Sequence, residues 1–117
     1  MKTWDEVIEI YQDFASMPDQ LRSSIGKKYL NIIRLLQADS ETANTDPEVA
    51  ILTLYLTLPD YLKQSVHISW MIVPDIYEIY LTPKPNDAPD ATRVKLSEVV
   101  PTVKAFLQQL RIKRDQT

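Results

Sequence analysis

In the N-terminal third of the chain, apolar residues recur at steps of three and four, the period of an amphipathic helix. Trp4, Val7, Ile8, Tyr11, Phe14 and Ala15 mark one face of a first helix, and Asp5, Glu9, Gln12, Asp13 and Ser16 mark the other. Thr3 and Glu6 stand at capping-box spacing, where each side chain satisfies a backbone N–H at the helix start. Pro18 ends this helix. Ser16 with Asp19 repeats the capping spacing ahead of a second helix whose stripe is Leu21, Ile25, Tyr29, Ile32 and Leu36, flanked by Ile33 and Leu35. Gly26 lies inside that stripe at a cost of about 1 kcal/mol relative to alanine. Its presence calls for a break at Ser23-Ser24 or a close helix crossing.

Residues 39–46 are rich in Ser, Thr, Asp and Asn, carry no apolar period and read as an exposed loop. Asp46-Pro47-Glu48 then reads as an N-cap followed by proline at the first helical position. The run from Ile51 to Leu58 also alternates, with Leu52, Leu54, Leu56 and Leu58 on one side and Ile51, Thr53, Tyr55 and Thr57 on the other. The cap chemistry and the leucine content favour a buried helix there over a strand.

Two β-branched and aromatic runs, 66–73 and 76–82, flank Pro74-Asp75 and predict a hairpin. Because proline cannot adopt the positive φ of a primed two-residue turn, a four-residue connection from Val73 to Ile76 is expected. Either loop length pairs Ile68 with Leu81, Trp70 with Ile79 and Ile72 with Tyr77 on an apolar side. The other side then pairs His67 with Thr82, Ser69 with Tyr80 and Met71 with Glu78. The proline-rich stretch 83–90 reads as a second exposed loop. Thr92, Val94 and Leu96, alternating with Arg93 and Lys95, predict a short third strand. Ser97 would cap a last helix with Pro101 in its first turn, a buried stripe of Val99, Val103, Phe106, Leu107 and Leu110, and a frayed tail over 112–117. The fold class is α+β in a single globular domain over 1–117, with two to three N-terminal helices, a central antiparallel hairpin or three-stranded sheet, and a C-terminal helix packed on one sheet face.

Composition narrows the chemistry. The 117 residues are 44% hydrophobic and 25% charged, the balance of a globular domain. The absence of cysteine excludes thiolate nucleophiles, disulfide frameworks and zinc ribbons, and a lone histidine excludes metal sites built on several imidazoles. A single glycine excludes Gly-rich phosphate loops. No apolar run approaches a membrane span, and acidic residues enter at Asp5, where a secretory leader would be apolar. These features predict a mature cytoplasmic chain with no cofactor, no catalytic or metal-ligating set and no membrane partner.

The formal charge of -3 conceals an asymmetry, because residues 1–90 sum to -7 and residues 91–117 to +4. Helix-end preferences account for part of it. The functional reading is an acidic docking surface of Asp5, Glu9 and Asp13, extended by Asp39, Glu41 and Asp46, for a partner protein with a basic surface. Tyr80, Glu78, His67 and Arg93 share the mixed side of the predicted sheet and form a second candidate contact patch, with Tyr61 beside Pro59-Asp60 as a further exposed aromatic. Two alternatives use other residues. The basic tail, Lys104, Arg111, Lys113 and Arg114, could serve a nucleic-acid-associated accessory protein, although a net-acidic chain gives it a small electrostatic footprint. His67 with Ser65, Ser69, Tyr80 and Glu78 could centre a small enzyme, but no nucleophile elbow or glycine-lined oxyanion hole accompanies it. The sequence therefore favours a small acidic, non-catalytic binding domain of the inhibitor, immunity or adaptor kind, with self-association open to it.

Overall fold

The computed structural model describes residues 2–50, 52–83 and 91–116. Three helices come first: α1 (Trp4–Ala15), α2 (Gln20–Gln37) and the single turn α3 (Ser40–Ala43). Five strands follow, β1 (Asp46–Ala50), β2 (Thr53–Leu58), β3 (Tyr61–Met71), β4 (Ile76–Thr82) and β5 (Thr92–Val94), and a 3₁₀ turn at Leu96–Glu98 leads into α4 (Val99–Asp115). The strands form an antiparallel meander in the order β1-β2-β3-β4-β5. The α+β class stands, and the sheet has five strands where two or three were expected.

The added strands come from residues expected to be helical. The alternation from Thr53 to Leu58 is real strand periodicity: Leu54, Leu56 and Leu58 are buried, while Thr53, Tyr55 and Thr57 are half-buried on the other face. Pro47 opens no helix. It sits on β1 at the edge of the sheet, the one place a strand tolerates a residue without an N–H. Leu52 falls outside β2 and is exposed, and Ile51 lies outside the described residues.

Thr3 and Glu6 form the expected capping box on α1. Ser16, however, closes α1, its hydroxyl donating to the Gln12 carbonyl at 2.8 Å, and Asp19 alone caps α2 by accepting from the Arg22 N–H at 3.0 Å. Gly26 marks a close helix crossing and no break. A Cβ there would lie 2.3 Å from the Ala15 nitrogen and 2.5 Å from the Tyr11 carbonyl oxygen.

Residues 39–46 are ordered by local bonds. Asp39 caps α3, the Thr42 hydroxyl donates to the Leu36 carbonyl, and that of Thr45 donates to the Thr42 carbonyl at 2.7 Å, so both threonines are buried. Ser97 does not cap α4, which begins at Val99 behind the 3₁₀ turn, and Leu96 is exposed outside the short β5. Helix α4 continues to Asp115, so residues 112–115 of the expected tail are helical. Residues 84–90 of the expected second loop lie outside the described residues.

The hairpin exists with a register two residues from the expected one: Ile68 faces Ile79, Trp70 faces Tyr77, His67 faces Tyr80 and Ser69 faces Glu78. The connection is Ile72–Asp75. Asp75 takes a left-handed φ of 62°, its N–H returns to the Met71 carbonyl at 3.1 Å, and its carboxylate accepts from the Trp70 indole at 2.7 Å and from Lys28 at 3.0 Å. A slip of two leaves the paired side chains on their own faces, so the expected apolar and mixed sides survive, except that Ile72 leaves the apolar side for the exposed connection.

Helices α1, α2 and α4 cover the apolar side. One cluster of buried side chains joins Val7 and Tyr11, Ile25 to Leu36, the inward residues of β2 to β5, and Val99, Val103, Leu107 and Leu110 of α4. Tyr29 reaches from α2 into the sheet itself. Its hydroxyl donates to the Leu52 carbonyl and accepts the Trp70 N–H at 2.9 Å. Leu52 and Trp70 occupy the rung beyond Thr53↔Ser69, so a side chain completes the β2–β3 ladder where the strands diverge. Burial pushes the Tyr29 phenol up to about 12.

Candidate interaction surfaces

With the helices on one side, no described helix covers the other side of the sheet, and strand pairing sets its side chains in rows. One row runs Glu48, Tyr55, His67, Tyr80 across β1 to β4. The His67 ring stacks on Tyr55 with centroids 4.8 Å apart and 15° between planes, and meets Tyr80 at 5.2 Å and 39°. A second row holds Thr53, Ser69, Glu78 and Arg93: Thr53 and Ser69 hydroxyls lie 3.0 Å apart, and Arg93 donates to Glu78 at 3.3 Å. In a third row the Thr57 and Ser65 hydroxyls lie 2.8 Å apart. The surface is aromatic at its centre and satisfied in its own hydrogen bonds at the margins. Beside Tyr55 lies a shallow depression of about 340 Å³, walled by Asp46, Pro47, Glu48, Tyr55, Thr57 and Leu62.

His67, Tyr80, Glu78 and Arg93 are thus brought to one face. The imagined hydroxyl–imidazole–carboxylate set is not brought together. Ser65 pairs with Thr57, Ser69 with Thr53 and, at 3.4 Å, with the Tyr80 hydroxyl, and Glu78 with Arg93. Among the described residues no hydrogen bond reaches the imidazole from any of them. Partial burial between two tyrosines holds the His67 pKa below the ordinary histidine range. Tyr55 and Glu48 complete the aromatic row and were missed because their segment reads as helix; the signal that could have found them is the alternation of 53–58. Tyr61, expected to be exposed, packs against the core.

Asp5, Glu9 and Asp13 lie on the exposed side of α1, in the helical layer, so the sheet stands between them and the His67 row. The predicted site residues therefore belong to two surfaces. Spaced four apart, the three carboxylates follow one another along a single helix face. No described cation or hydrogen-bond donor contacts them, a condition they share only with Asp46 among the described carboxylates.

Every other described carboxylate is engaged, and the basic tail supplies many of the partners. Lys104 pairs with Asp39 at 3.0 Å and Glu41 at 3.9 Å, Arg111 with Glu41 at 3.6 Å, and Arg114 with Asp60 and with Asp115, each at 3.0 Å. Lys113 donates to the Gln64 amide oxygen at 2.8 Å. The Lys104 ammonium holds the Asp39 carboxyl below the usual range. Asp39 and Glu41 therefore do not extend the α1 stripe, because they serve to hold α3 against α4. Among the described residues no helix is long and apolar enough to cross a membrane. The sequence matches no protein-family model, and no curated protein or solved structure matches it.

Proposed function

We propose that the chain is a small non-catalytic protein-binding domain, acting in the cytoplasm as an inhibitor, immunity or adaptor protein on a partner with a basic surface. The observation that carries this reading is the contrast among the described carboxylates: apart from a single Asp46 on β1, the others are matched by cations or helix caps, whereas Asp5, Glu9 and Asp13 are left together on one helix face. Like charges at that spacing disfavour the helix by about 0.2–0.5 kcal/mol per pair. A basic partner would offset that repulsion and be steered towards it. The same pairing argues against the nucleic-acid alternative, since Lys104, Arg111 and Arg114 would have to exchange carboxylates of their own chain for phosphates.

The open sheet face supports a second contact surface. Tyr55 and Tyr80 offer area with little rotamer entropy to lose, and His67 is already locked between them. The test is quantitative binding to the partner captured by the tagged chain from its native cells. Asp5→Lys, Glu9→Lys and Asp13→Lys together should weaken the complex by about tenfold or more, a loss of about 1.4 kcal/mol or more, with the circular dichroism spectrum unchanged. If affinity and its salt dependence stay as they were, α1 is not the docking surface. Tyr55→Ala with Tyr80→Ala, measured in parallel, reads the sheet face separately.

A further inference from the structure

We infer that the β1 edge of the sheet is capped against strand addition, by Pro47 and by the Glu48 carboxylate, and that the occupant it excludes is β1 of a second copy of this chain. Antiparallel neighbours alternate between residues that exchange backbone bonds with the partner strand and residues whose N–H and C=O point away from it. Val49 gives its N–H to Glu48 Oε1 at 3.1 Å, so its backbone faces outward, and so does that of Pro47 two residues earlier. Proline has no N–H to offer. The other outward donor is already taken by a carboxylate whose same oxygen lies 3.4 Å from Lys2 Nζ.

A two-fold pairing that aligns the whole of β1 with a second β1 centres on Glu48. Residue 47 of each copy would then face Val49 of the other, and every ladder bond would be donated by one of these two positions. The proline donors are absent and the valine donors are occupied. The two Glu48 carboxylates would also stand directly opposite each other, an arrangement that disfavours cross-strand pairing. The far edge is blunted differently: β5 is only three residues long and runs straight into the 3₁₀ turn. With β1 capped and β5 this short, the sheet edges offer a second copy little to pair with, a conclusion that does not depend on which face a partner uses.

The test is sedimentation velocity of the full chain over a wide concentration range. The natural protein should keep one monomer mass, whereas Pro47→Val with Glu48→Thr should move to twice that mass as concentration rises. Adding Val49→Pro, which removes the freed donor at a position that tolerates proline, should restore the monomer. A folded double variant that stays monomeric throughout overturns the inference, as does a dimer indifferent to Val49→Pro. An independent reading needs only the single variant Glu48→Ala: the Val49 amide proton resonance should move upfield as its carboxylate acceptor is lost, and an unmoved resonance overturns the cap.

Discussion

Tyr11 and Tyr29 lie ring on ring in the core, 4.8 Å apart and 10° from parallel, yet their hydroxyls differ in fate. That of Tyr29 is bonded on both sides, whereas that of Tyr11 is buried with no hydrogen-bond partner among the described residues. Burial raises both phenol pKa values. Tyr29→Phe orphans the buried Trp70 N–H and takes the donor from the Leu52 C=O, and should destabilise the fold by about 1–3 kcal/mol. Tyr11→Phe removes a desolvated hydroxyl that gains nothing, and should leave stability unchanged or improved. Denaturant titration of the two variants gives the order; an equal loss from both would refute the assignment. His67 offers a pH test. Its folded pKa is depressed, so the folded state prefers the neutral ring; its contribution is present above the unfolded value near 6.5 and is lost as pH falls through the folded value. The stability of the natural protein should therefore decline just below pH 6.5 more steeply than that of His67→Gln, and parallel curves would show that burial of the ring carries no such linkage.

At the scale of elements, Gly26 separates propensity from packing. Helix propensity alone expects Gly26→Ala to gain about 1 kcal/mol. The crossing predicts a loss of about 1–3 kcal/mol or more, because the added Cβ meets backbone atoms of α1 that have no rotamer to yield. A raised melting temperature in Gly26→Ala would contradict the crossing. The glycine's oddity was legible in the sequence, as were the capping box of α1 and the two faces of the β3–β4 hairpin. Register was not, because a shift of two keeps Trp70 and Ile68 inward and His67 and Ser69 outward whichever residues turn the corner. The misreading of 47–58 has a physical cause: Asp-Pro-Glu satisfies the rules of a helix start, and only the pairing of β1 against β2 decides that Pro47 occupies an edge.

Across the whole molecule, the sequence displays charges as blocks, and the fold redistributes them. Arg114 meets Asp60 and Arg111 meets Glu41, residues far apart in the chain, so the apparent basic tail is matched by acids that no local pattern could assign to it. The α1 stripe is legible in the sequence because its spacing is local; its isolation emerges only after most of the other described carboxylates have found partners. The Tyr29 hydroxyl has a consequence at this scale too. The last rung between β2 and β3 is a bridge supplied by α2, so the strand pair cannot satisfy its own backbone at that end before the helix is docked. Undocking α2 correspondingly leaves Leu52 and Trp70 bare. Helical layer and sheet are thereby made one cooperative unit, closing and opening together at that corner in place of fraying strand by strand.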